Sequence, residues 1–145
     1  ARRVFVAGNF NNWNDGELSL VKTNGVWTYH LIAAPGNYHY KFIVDGNWIR
    51  DPHNPLIAEE GGELNSLKVF KPNHTFFLPK DKARNDAKVA GNFNGWNGYT
   101  MQKTPDGYKL DLFIGNKKCI YKFIVDGEWI LDPSNSLWEQ NEHGN

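Results

Sequence analysis

Hydrophobic positions along this chain alternate over short stretches and do not settle into a helical period. In "GVWTYHLI" (25–32) Trp27, Tyr29 and Leu31 fall on one side of an extended segment, the pattern of a half-buried strand. "RVFVAG" (3–8), "ELNSLKVF" (63–70), "HTFFLP" (74–79) and "AKVAG" (87–91) read as further strands. "NYHYKFIV" (37–44) leads through Asp45-Gly46 into "NWIRD" (47–51). Asp-Gly between strand-like runs predicts a hairpin, because a type I′ turn needs positive φ at both central residues. Asp126-Gly127 repeats the signal, and "KDKARND" (80–86) reads as a charged loop. With Gly, Asn, Pro and Asp punctuating these runs, the pattern predicts an all-β chain.

The pattern also occurs twice. "GNFNNWN" (8–14) returns as "GNFNGWN" (91–97), and "YKFIVDGNWIRDP" (40–52) returns as "YKFIVDGEWILDP" (121–133). Between these anchors Trp27, Tyr29 and Leu31 align with Tyr108, Leu110 and Leu112. A repeat about 80 residues long exceeds a solenoid unit and suits a small sandwich domain. The expected organisation is two tandem domains, residues 1–72 and 73–145, meeting after Pro72 with almost no linker. The first copy has no counterpart of "HTFFLP", and the second stops before a counterpart of "LNSLKVF". An open sheet edge at each end would invite strand exchange with another chain.

Composition narrows the function classes. The 145 residues carry a formal net charge of zero, so there is no electrostatic footprint for nucleic acid or an anionic membrane. No stretch approaches the ~20 apolar residues of a membrane span. Ala1 does not begin a secretion signal, and the sequence does not choose between cytoplasm and periplasm. Cys119 is the one cysteine, read as a buried, inert thiol; it excludes an internal disulfide and a zinc cluster. No histidine has a counterpart in the other copy, and no nucleophile-elbow, metal or phosphate-loop motif occurs. The matched acidic pairs Asp45/Asp126 and Asp51/Asp132 sit in turns. No catalytic residue, metal or cofactor is expected. The six tryptophans are unusual in so hydrophilic a chain.

The combined pattern G-x-F-N-x-W, then Y-K-F-x-V-D-G-x-W and D-P, resembles the glycogen-binding domain of the AMP-activated kinase β-subunit. More broadly it is similar to carbohydrate-binding module family 48, which also supplies the N-terminal modules of isoamylases and branching enzymes. The resemblance covers nearly the whole chain, once per copy. It implies two tandem immunoglobulin-like (E-set) β-sandwiches that bind α-1,4-glucans, polymeric or oligomeric, without catalysis. It also implies a parent chain in which a catalytic domain can accompany them. Carried over by position, the glucan-contacting residues would be Trp13, Lys41, Trp48 and Asn65 in copy one, and Trp96, Lys122 and Trp129 in copy two. Trp138 adds an aromatic in the copy-two loop, either stacking on sugar or plugging the end of the domain. The family's contact loop often carries a Leu and a Thr where Gly61 and Glu63 stand here.

The residue types suit a sugar. A pyranose has apolar C–H faces and a rim of hydroxyls, which an exposed indole and nearby amide or ammonium groups can match. Covering on the order of 50 Å² of sugar face contributes roughly 1 kcal/mol. Two tryptophans and a few hydrogen bonds then give a site in the roughly micromolar to millimolar range. A second site on the same polymer could raise avidity by ~10²-fold. On the residues alone, each tryptophan reads equally as a core residue, and Trp27, alternating with Tyr29 and Leu31, is read as core. Lys41 and Lys122 read as a solvated strand face, and Asn9, Asn11 and Asn12 as turn builders. A sandwich that serves only as spacer or partner-docking unit is the competing reading.

Overall fold

The computed structural model describes residues 2–115 and 118–133; Trp138 lies outside them. The described chain is all-β apart from one 3-10 turn at Lys80–Lys82 inside the expected charged loop. The first half forms β1 (Val4–Gly8), β2 (Leu18–Ser19), β3 (Val21–Thr23), β4 (Val26–Thr28), β5 (Gly36–Val44), β6 (Asn47–Ile49), β7 (Ile57–Glu60) and β8 (Glu63–Phe70). The second half forms β9 (His74–Pro79), β10 (Ala87–Gly91), β11 (Tyr99–Thr100), β12 (Gln102–Thr104), β13 (Gly107–Leu112), β14 (Tyr121–Val125) and β15 (Glu128–Ile130). Both Asp-Gly turns form as the sequence predicts, with φ of 48° and 87° at Asp45 and Gly46 and of 49° and 89° at Asp126 and Gly127.

The strands build one ten-stranded antiparallel sheet in the order β15-β14-β10-β11-β7-β8-β5-β1-β2, with β6 on β5. A three-stranded sheet, β12-β13-β9, packs against part of it and makes a sandwich. Phe76 and Leu78 from β9 and Tyr108, Leu110 and Leu112 from β13 meet Val89, Phe123 and Val125 from the large sheet. Ala58 of β7 and Leu67 of β8 belong to this same core. The first half has a smaller buried cluster of Val4, Val6 and Leu20, flanked by Phe10, Trp27, Tyr40 and Phe42. Trp27 thus packs on a core, half-buried.

The strand expected over 25–32 is shorter than its alternation suggests. β4 ends at Thr28, and Tyr29, Leu31 and Ile32 are 42%, 44% and 100% exposed. The reason is pairing. Leu110 and Leu112, the counterparts of Tyr29 and Leu31, lie on β13, which is matched to β9 along its whole length. Among the described residues β4 pairs only with β3, so its far edge has no ladder to extend. An apolar groove of ≈ 300 Å³ opens there, lined by Val6, Leu20, Tyr29, Leu31, Phe42 and Phe70. Cys119 is half-buried rather than fully enclosed, and burial pushes its thiol pKa up.

Candidate functional site

Each asparagine-rich loop is a tight turn that fixes a tryptophan. The Asn11 side chain accepts the Gly8 N–H at 3.0 Å, and the Trp13 N–H donates to the Gly8 carbonyl at 2.9 Å. Asn94, Gly91 and Trp96 repeat this with distances of 2.9 Å and 2.9 Å. Glycine is required at the pivot. A Cβ on Gly8 would lie 2.2 Å from the His39 carbonyl oxygen, and one on Gly91 would lie 2.4 Å from that of Ile120. The turn leaves Trp13 at φ 59° and Trp96 at φ 62°, a left-handed conformation that costs a bulky residue of order 1–3 kcal/mol. Both halves hold an indole in this unfavourable conformation, and both indoles are half-buried.

The second tryptophan follows each Asp-Gly turn. Trp48 on β6 stands opposite Ile43 and is 43% exposed; Trp129 on β15 stands opposite Ile124 and is 46% exposed. The turns are braced from below. The Asp45 carboxylate accepts the Arg3 and Arg2 N–H groups, both at 2.9 Å. Asp126 likewise accepts those of Arg84, Asp86 and Asn85 at 2.8–3.0 Å. These hydrogen bonds hold both carboxyls below the usual aspartate range. In the second half Trp96 and Trp129 come together, ring centroids 6.4 Å apart and tilted by 41°. No such ring contact joins Trp13 to Trp48 among the described residues.

Lys41 and Lys122 occupy matching register positions, opposite Ala7 and Ala90. Lys41 is engaged: its Nζ donates to Glu63 Oε1 at 2.7 Å, and its side chain is 14% exposed. The ammonium group in turn holds the Glu63 carboxyl below its usual range, chiefly through that hydrogen bond. Lys122 is half-buried. Asn65 is not on the open surface. It is 4% exposed, and its Nδ2 donates to Glu60 Oε1 at 3.3 Å. Of the first-half candidates, Trp48 is the exposed one, with Trp13 and Lys41 half-buried.

Sequence reasoning missed the network beside Asn65. His39 is buried, its Nδ1 paired with Glu60 and its Nε2 2.6 Å from the Tyr99 hydroxyl. Burial pushes the Tyr99 pKa up, and the nearby Glu60 adds to the shift. These residues join the halves, together with Asn37, whose side chain exchanges two 2.9 Å hydrogen bonds with the Phe113 backbone. His39 faces an isoleucine in the sequence repeat, so the repeat carried no signal of its partner. Among the described residues no group of three or more His, Cys, Asp or Glu side chains could hold a metal ion. Nor is any helix there long and apolar enough to cross a membrane.

A family model described as the glycogen recognition site of AMP-activated protein kinase matches residues 1–75 and again residues 80–145. The chain belongs to this glycogen-recognition family. It is 36% identical over 66 residues to 5'-AMP-activated protein kinase subunit beta-2 of Mus musculus and of Homo sapiens, covering 46% of this chain and 24% of each relative. To subunit beta-1 of Sus scrofa it is 33% identical over 70 residues, 48% of this chain and 56% of that one. The chain thus spans about a quarter of the subunit beta-2 relatives it matches. The loop tryptophans, the hairpin tryptophans and the strand lysines recur in both halves, and of these Trp48 and Trp129 are exposed.

Proposed function

We propose that the chain is a non-catalytic binder of α-1,4-glucans such as glycogen and starch, built from two tandem copies of one module. The observation that carries this reading is the pair of exposed tryptophans, Trp48 and Trp129. Each is held just after a braced Asp-Gly turn, one strand away from a lysine. An indole left open to water at such a position is suited to cover a pyranose face, and the neighbouring ammonium groups to donate to its hydroxyls. Trp13 and Trp96, held at positive φ, add a second platform to each site. The tilted Trp96–Trp129 pair makes the second site the wider apolar surface. Two weak sites on one polymer raise the apparent affinity through effective concentration. A catalytic partner, in the parent chain or assembled with it, would use the modules as an anchor on its substrate.

Affinity electrophoresis tests this. The protein is run in native gels with embedded glycogen, amylopectin or xylan, beside Trp48→Ala, Trp129→Ala and the double variant. Retardation is expected with the two α-glucans and not with xylan, reduced in each single variant and abolished in the double. Unretarded migration of the wild type in every gel would leave the spacer reading in place.

A further inference from the structure

The two candidate sites are tied together by one sheet, so their relative facing can be read from strand register. Paired residues on neighbouring antiparallel strands share a face, and residues two apart along a strand share a face. Lys41 therefore shares a face with His39, which is paired with Leu67. Leu67 shares it with Asn65, which is paired with Ala58 on β7. Ala58 is paired with Tyr99 on β11, Tyr99 with Val89 on β10, and Val89 with Phe123 on β14. Phe123 is the neighbour of Lys122, so Lys122 points to the other face. Trp48 follows Lys41 through Ile43, and Trp129 follows Lys122 through Ile124.

The face that carries the first site becomes, further along the same sheet, the floor of the second half's core. There Ala58, Leu67, Val89 and Phe123 are all 0% exposed, because the apolar side chains of β9 and β13 cover them. Twist of about 20–25° per strand pair accumulates to roughly 100–125° over the pairings from β5 to β14, turning both faces together without exchanging them. A glucan lying across Trp48 cannot continue along its face to Trp129; the covering sheet blocks it.

We infer that the two sites hold two separate glucan segments, one on each face of the shared sheet, so that one protein molecule bridges glucan chains. This rests on the glucan-binding reading above. The ligand class is the same at both ends, and the added function is cross-linking of polysaccharide strands or particles. The gain in avidity then needs a branched or densely packed glucan that can reach both faces, and a single linear stretch does not supply it.

A capture assay decides. Glycogen-coated beads are loaded with the protein at low density, washed, and offered fluorescently labelled soluble amylopectin fragments. Beads loaded with wild type are expected to retain label well above protein-free beads. Trp48→Ala and Trp129→Ala should each stay on the beads through the remaining site, which also reports that they are folded, while label retention falls to the protein-free level. The inference is overturned if wild type is on the beads and retains no extra label. It is also overturned if either single variant captures as much as wild type, since self-association would then be making the bridge. Failure of wild type to bind the beads at all would instead overturn the glucan-binding reading itself, and bridging with it.

Discussion

At the scale of single residues, the most consequential contact at the first candidate site is Lys41 to Glu63. The Glu63 carboxylate engages the ammonium group that, on the proposed reading, would donate to a sugar hydroxyl. Glu63→Thr removes the competing acceptor, and first-site glucan affinity is expected to rise about 3- to 10-fold. That is the effect of roughly one recovered hydrogen bond. Calorimetry with maltoheptaose, in a Trp129→Ala background that silences the second site, measures it. The pH dependence has a definite sign. The folded-state pKa of Glu63 is lowered, so the ion pair is intact above the usual glutamate range and is lost as pH falls through that lowered value. First-site affinity should therefore increase on acidification, and this pH dependence should vanish in Glu63→Thr. The pairing of Lys41 with Glu63 could not be read from the sequence, because the β5–β8 ladder brings the two together and local pattern says nothing of that pairing.

At the scale of elements, sequence legibility followed hydrogen-bond partners. β8 and β9 begin and end where the alternating runs do, and both Asp-Gly hairpins close with the positive φ their chemistry requires. The alternation over 25–32 was equally clear, yet the strand stops at Thr28. Alternation shows which face of a segment is apolar, whereas a ladder also needs a neighbour. β2, β3, β7, β11 and β12 were missed because runs of two to four residues carry too little pattern to stand out. The same difference governs local stability. β3 and β4 form an isolated two-stranded ribbon with Val21 and Val26 64% and 60% exposed, and such ribbons are marginal alone. Hydrogen exchange is expected to show β3–β4 amides exchanging at least about 100-fold faster than those of β9 and β13. Equal protection would mean that the β4 edge is covered in solution.

At the scale of the whole molecule, the repeat in the sequence carries no sign of how the two halves contact each other. Two domains meeting after Pro72 is the natural reading of a tandem repeat. Yet β7 is paired to β11, the Glu59 N–H donates to the Gly98 carbonyl at 2.8 Å, and Lys88 Nζ donates to Glu59 Oε1 at 2.5 Å. Repeats report what two segments share; residues 57–67 reach across the junction, and a repeat carries no signal of such contacts. Ala58 and Leu67 complete the second core, and burying Leu67 alone is worth roughly 1.5–3 kcal/mol. Residues 73–145 expressed alone are therefore expected to unfold at a clearly lower urea midpoint than the second-half transition of the full chain, followed by tryptophan fluorescence. An unchanged midpoint would show that the second half closes its core without β7 and β8.

The tilted pair of indoles at the second site has one more consequence. Two chromophores 6.4 Å apart at 41° share their electronic excitation, and a chiral arrangement of that kind produces paired circular-dichroism bands of opposite sign. Among the described residues the first candidate site has no indole–indole contact of this sort and so no comparable signature. The molecule thus carries its own optical label on one of its two surfaces, and a sugar wedged against Trp129 would alter that signal while one seated on Trp48 would leave it unchanged.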